Sequence, residues 1–107
     1  MAWVVEFLNE DVEALFEGLP EDIQASFKRI ARLIQASGLE QVREPYVKHL
    51  QGRLWEMRLK GRSGISRALY VTASGWRVVI VRVFVKKTQK TPRSEIVLAL
   101  SRAKSIR

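Results

Sequence analysis

A chain of 107 residues has the length of one domain and can bury a core without metal or disulfide support. It contains no cysteine, which excludes disulfides and thiolate metal sites, and no apolar run approaches the ~18 residues that a membrane span requires. Its net charge of +8 is unevenly distributed: residues 1–45 hold nine acids and four bases, whereas residues 46–107 hold fifteen Lys or Arg against Glu56 and Glu95 alone. A half-chain that basic calls for a polyanion, an acidic protein partner or both.

The opening MAWVVEFLNED has no positive n-region, so a secretory signal is not expected. Trp3 to Leu8 reads as a short strand. Asn9 is placed to cap a helix whose first turn carries Glu10, Asp11 and Glu13, where the helix dipole favours anions. Val12, Leu15, Phe16 and Leu19 follow at helical spacing. Pro20 suits the start of a second helix, and Ile23, Phe27, Ile30, Ala31 and Ile34 form one continuous apolar stripe along it. Lys28, Arg29 and Arg32 lie on its opposite, solvated face. Gly38 is its natural stop.

From Val47 the period changes to two. Leu54, Glu56, Arg58 and Lys60 alternate with Trp55, Met57 and Leu59, as in a half-buried antiparallel strand. Gly61-Arg62-Ser63-Gly64 is a turn, Ile65 to Thr72 a strand, and Ala73-Ser74-Gly75 a second turn. Trp76 to Val85 is the longest strand and apolar enough to be central. Thr91 is placed to cap a last helix, with Pro92 at its first position and Ile96, Ala99, Leu100 and Ala103 as its inner stripe. The order β-α-α-β-β-β-α makes one α+β domain over residues 1–107, with the helices expected on one face of a mostly antiparallel sheet.

The strand ending at Val85 runs into Lys86-Lys87-Thr88-Gln89-Lys90-Thr91-Pro92-Arg93, a basic, hydroxyl-rich loop that opens a helix, and such a loop suits phosphate. Arg58 and Lys60 share a side of one strand, and Arg67 lies on the next. In a meander these residues can converge with Lys86, Lys87 and Lys90 on one surface. Trp55, Trp76, Tyr46 and Tyr70 are aromatic candidates for base stacking, although both tryptophans flank apolar runs and are expected in the core. His49 is the only histidine, so a two-histidine ribonuclease is excluded, and no carboxylate cluster surrounds it to form a metal site. Glu56 and Glu95 are candidates for acid–base work, but are read more simply as ion-pair partners of neighbouring arginines or, for Glu95, as a favourable charge near a helix start.

The pattern F-V-K-K-T-x-K-T-P-x-x-E, preceded by Leu54-Trp55-Glu56-Met57-Arg58 and by Arg67 before Ala68-Leu69-Tyr70, resembles the HigB-type, phage-derived branch of the RelE/ParE toxin superfamily. The likeness covers about residues 46–104, and the RelE-like fold has the element order read above. The resemblance implies a toxin that cuts messenger RNA in the ribosomal decoding site. The substrate's 2′-hydroxyl would be the nucleophile, with neither metal nor cofactor. By motif, the family's basic strand positions fall on Arg58 and Lys60, its arginine on Arg67 and its basic loop position on Lys86 or Lys87, which makes these the catalytic candidates. Lys48, Arg62, Lys90 and Arg93 are the candidates for holding RNA around them. Removal of Arg67 is expected to cost activity with little loss of stability. Several relatives carry a tyrosine in the last helix, where this chain reads Ser94-Glu95-Ile96-Val97. The implied partners are the ribosome, messenger RNA and a cognate helix-turn-helix, HigA-like antitoxin, in the cytoplasm. The acidic helical pair at 10–37 is the favoured antitoxin surface, and the alternative is an antitoxin segment that occupies the basic surface or pulls Thr91–Lys104 away from the sheet. The competing readings are a toxin of the same fold that acts on a protein such as gyrase, and a plain nucleic-acid-binding module.

Overall fold

In the computed structural model, which describes residues 2–107, the apolar runs build a five-stranded sheet ordered β1-β5-β4-β3-β2. The strands are β1 (Val4–Phe7), β2 (Val47–Gln51), β3 (Leu54–Gly61), β4 (Gly64–Ala73) and β5 (Arg77–Val85). The helices are α1 (Glu10–Glu17), α2 (Glu21–Ser37) and α3 (Arg93–Ala103), and a short 3₁₀ turn spans Leu39–Gln41. β1 runs parallel to β5, and every other pairing is antiparallel.

Local chemistry sets the helix ends as read from the sequence. The Asn9 side chain accepts the Val12 N–H at 3.0 Å. Gly38 ends α2 at φ 90°, a left-handed conformation that few other residues adopt without strain. The buried stripe of α2 is Ile23, Phe27, Ile30 and Ile34. With Val12 and Phe16 of α1 it covers Met57, Leu59, Ala68, Tyr70, Val78 and Ile80 on one face of the sheet. Phe7, Phe16 and Phe27 meet there with ring centroids 4.7 to 5.6 Å apart. Full burial of each such side chain contributes roughly 1.5–3 kcal/mol.

The structure departs from the sequence reading in four places. The segment read as one strand from Val47 is a hairpin, because Gly52 at φ 56° turns the chain between β2 and β3. Arg53 beside it donates to the carbonyls of Thr72, Ala103 and Ile106, which ties the turn to the far end of the chain. The helices lie on both faces of the sheet, not on one. Ala99, Ala103 and Ile106 cover Leu54, Leu69, Val71, Val79 and Val81 on the face opposite α1 and α2. The central strands are apolar on both sides, as a doubly covered sheet requires.

Both tryptophans are exposed rather than in the core. Trp55, 37% exposed, packs edge-on to His49, and Trp76, 44% exposed at the β4–β5 turn, packs edge-on to Trp3. Finally, Pro92 is the residue flanking α3 and makes no side-chain cap, which leaves the Thr91 hydroxyl free for another partner.

Candidate functional site

α3 covers only part of its face of the sheet. Cross-strand register places Glu56, Arg58 and Lys60 of β3, and Arg67 of β4, on that same face beyond the helix. Arg58 pairs directly with Arg67, and Lys60 with Ile65. The Lys86 N–H donates to the Ile65 carbonyl at 2.9 Å, which brings the start of the basic loop beside Arg67. The loop 86–92 then frames the patch and leads into α3.

Glu56 is the centre of the cluster, although it is only 2% exposed. Its Oε2 lies 3.5 Å from Arg58 Nε and 3.4 Å from Arg67 Nε. Its Oε1 accepts the Thr91 hydroxyl at 2.5 Å. One buried carboxylate therefore orders two guanidiniums and the end of the loop. A buried charge is tolerated only when paired in this way.

Arg67 is 4% exposed, and its Nη1 is buried without a hydrogen-bond partner. A buried guanidinium N–H with nothing to donate to is costly, and the cost is met where a ligand supplies the acceptor. Burial lowers the Arg67 pKa; Glu56 opposes that shift and Arg58 adds to it. The Lys86 pKa is lowered by desolvation and then by Arg67 and Arg58. Cations that depress one another's protonation favour an anion between them.

The remaining candidates spread outward from this centre. Lys48 pairs across the strands with Glu56 from β2, and its side chain is exposed. Arg93 is tied to the Gln51 side chain, which fixes the start of α3 to the end of β2. Lys87 and Lys90 are exposed in the loop, where the Lys90 carbonyl accepts the Thr88 hydroxyl at 2.7 Å. Arg62 is exposed at the β3–β4 turn.

Arg58, Arg67 and Lys86 are thus brought together, with Lys60 one row away, while Lys87, Lys90 and Arg62 stand apart. Sequence reasoning assigned Glu56 to ion pairing with arginines, which it does, but missed Thr91 as its second partner. The Lys90-Thr91-Pro92 sequence reads as a helix start and conceals that bond. Glu95 pairs with Arg82 at 2.6 Å and holds α3 to β5. Tyr70 is in the core rather than on a stacking surface, and burial pushes its phenol pKa upward. His49 Nε2 donates to the Gly52 carbonyl, 2.7 Å away, and takes no part in the cluster. Among the described residues no three His, Cys, Asp or Glu side chains gather to hold a metal ion.

Among solved structures, a double arginine-to-alanine mutant of the Escherichia coli toxin RelE in its free state superposes with a TM-score of 0.67. It is 18% identical, and the match covers 95% of this chain and 98% of that one. A chain from the archaeal RelE–RelB complex of Pyrococcus horikoshii OT3 gives a TM-score of 0.58 at 20% identity, over 79% of this chain and 96% of that one. No curated protein matches significantly. The family described as phage derived protein Gp49-like (DUF891) matches residues 14–104. With most of its length matched, from α1 through α3, the chain belongs to this Gp49-like family and carries the RelE fold.

Proposed function

We propose that this chain is the toxin of a toxin–antitoxin pair and that it cuts messenger RNA on the ribosome. The observation that carries the reading is the unpaired, buried Nη1 of Arg67 within a cluster of Arg58, Lys86 and Glu56. The scissile phosphate occupies the space between these cations. Arg67 and Arg58 hold its non-bridging oxygens, and Glu56 keeps both guanidiniums aimed.

The ribose 2′-oxygen attacks the neighbouring phosphorus and gives up its proton to solvent water. The bond from phosphorus to the 5′-oxygen breaks, leaving a 2′,3′-cyclic phosphate and a 5′-hydroxyl. Lys86, whose ammonium is destabilised by desolvation and then by Arg67 and Arg58, donates the proton that the leaving oxygen takes up. The cluster stabilises the negative charge that builds on the phosphorane, and no step calls for a metal. Lys48, Lys60, Arg62, Lys87, Lys90 and Arg93 hold the flanking RNA. A cytoplasmic setting follows from dependence on the ribosome. The partner is a helix-turn-helix antitoxin of the HigA kind; the similar archaeal RelE chain is likewise found in complex with RelB.

The test is induction of the chain in bacteria that lack an antitoxin, with amino-acid and thymidine incorporation followed in parallel and the 5′ ends of messenger RNA mapped. Amino-acid incorporation should stop first, with new ends inside translated frames. Arrest of DNA synthesis with intact messages would instead establish action on a protein such as gyrase.

A further inference from the structure

A cleft of about 160 Å³ opens beside the cluster, where β3 extends past the end of β2 and faces α2. It is lined by Ser26, Arg29, Ile30, Leu33, Pro45, Tyr46, Arg58 and Lys60. The chain before β2 closes one side, because the Arg58 N–H donates to the Tyr46 carbonyl at 2.8 Å. α2 closes the other, where Ser26 Oγ accepts the Lys60 N–H at 3.3 Å.

Ile30, Leu33 and Pro45 give it an apolar lining beside Tyr46, which is 47% exposed. Arg29, Arg58 and Lys60 are its charged residues, and no carboxylate lines it. Among the described residues, the side chains of Arg29 and Lys60 make neither an ion pair nor a hydrogen bond. A larger cavity of about 620 Å³ lies next to Trp55 and His49, but Glu40 and Glu44 line it and would repel phosphate.

An apolar lining, an exposed aromatic ring and unpaired cations are what an unpaired base with its phosphate requires. Arg58 belongs both to this cleft and to the Glu56 cluster, so the two sites are contiguous. We propose that the cleft is a nucleobase subsite: a base flanking the cleaved phosphate stacks on Tyr46, and Arg29 and Lys60 hold the phosphate that follows it. This rests on the reading that the Arg58–Arg67 face binds RNA. It gives Arg29, on the outer face of a packing helix, a task in substrate positioning.

The test is binding of a short, fluorescently labelled single-stranded RNA to the purified chain over a salt series. Tyr46→Ala should weaken binding by about tenfold, the usual worth of one stacked base, and Tyr46→Phe should recover most of the loss. An RNA with one abasic position should lose the same factor with the wild type and nothing further with Tyr46→Ala. Arg29→Gln should flatten the slope of log affinity against log salt by about 0.7, one single-strand phosphate contact. Thermal melting establishes that each variant is folded. If Tyr46→Ala binds as the wild type does while Arg67→Ala binds weakly, the subsite is wrong and the RNA reading stands. If Arg67→Ala and Lys86→Gln also bind as the wild type does, the RNA reading fails and the subsite with it.

Discussion

Arg58 and Arg67 face each other as direct cross-strand partners on β3 and β4, so two guanidiniums occupy one paired position. Like charges placed so are destabilising, and here Glu56 Oε2 offsets them from 3.5 and 3.4 Å. Two guanidiniums against one carboxylate leave this part of the face with excess positive charge.

Arg67→Ala should abolish toxicity. The sequence reading expected this at little cost in stability, but the burial of Arg67 against Glu56 changes that expectation. Removing one partner of a buried ion pair costs roughly 3 kcal/mol, since the carboxylate keeps its desolvation and loses the more buried of its two charge partners. Glu56→Gln in the same chain should restore part of the stability and none of the activity. Denaturant midpoints of the single and double variants report the difference. An unshifted midpoint for Arg67→Ala would show that the pair is not formed in solution.

Lys86 and Lys87 are neighbours in sequence with different surroundings. Lys86 sits beside Arg67, whereas Lys87 is exposed in the loop. Lys87→Gln should flatten the salt dependence of ribosome binding and leave the rate of the bound complex largely intact. Lys86→Gln should lower that rate as well. Because the Lys86 pKa is depressed, the activity that needs its ammonium should fall on the alkaline side before an ordinary lysine with pKa 10.5 would titrate. Single-turnover cleavage against pH tests this, and identical profiles for the wild type and Lys86→Gln would remove Lys86 from the chemistry.

Thr91 joins the loop to the sheet through Glu56. Thr91→Val keeps the shape and removes the donor, leaving a buried carboxylate oxygen unsatisfied at a cost of about 1–2 kcal/mol. Amide exchange across 86–92 should quicken and cleavage should drop, while Thr91→Ser should behave as the wild type does. A loop that stays protected in Thr91→Val would mean that backbone contacts hold it.

The Asp22 carboxylate accepts the Ser63 N–H at 2.8 Å and its hydroxyl at 2.6 Å, clamping α2 to the β3–β4 turn. Gly61 leaves room for it, because a Cβ there would lie 2.3 Å from Asp22 Oδ2. The Ser63 bonds hold the Asp22 pKa below 3.8, its ordinary value. A depressed carboxylate contributes stability above the unfolded-state value and loses it as pH falls through the folded-state one. Asp22→Asn should therefore be less stable than the wild type at neutral pH and lose less on transfer to about pH 2. Equal acid losses in the two proteins would contradict this.

Much of this was legible in the sequence because local rules govern it. The stripe of α2, the Asn9 cap and the Gly38 stop follow from spacing and backbone preference, and the structure has all three. Arg58 and Arg67 could be brought together from strand alternation across a short turn. The hairpin at Gly52 was hidden because its support comes from Arg53 reaching carbonyls at the far end of the chain. The placement of α3 depends on which side of β4 and β5 is left uncovered, and strands apolar on both sides do not say. Thr91 followed a rule for helix starts that a buried carboxylate overrode.

The acidic helices remain the surface on which an antitoxin should dock. Glu10, Asp11, Glu13, Glu17 and Glu21 are exposed on α1 and the start of α2, with Leu15 exposed among them. α1 and α2 cover the face of the sheet opposite the Arg58–Arg67 cluster. An antitoxin segment that is basic and apolar would therefore bind without touching the catalytic candidates and would keep the toxin off the ribosome by bulk. Its association should be fast and should slow with salt, as charge-steered encounters do. Hydrogen exchange of the complex should show new protection within 10–37. Leu15→Lys should weaken the complex while the free toxin remains lethal. Protection confined to Arg58, Arg67 and 86–90 would place the antitoxin on the basic face and make it a direct competitor of RNA.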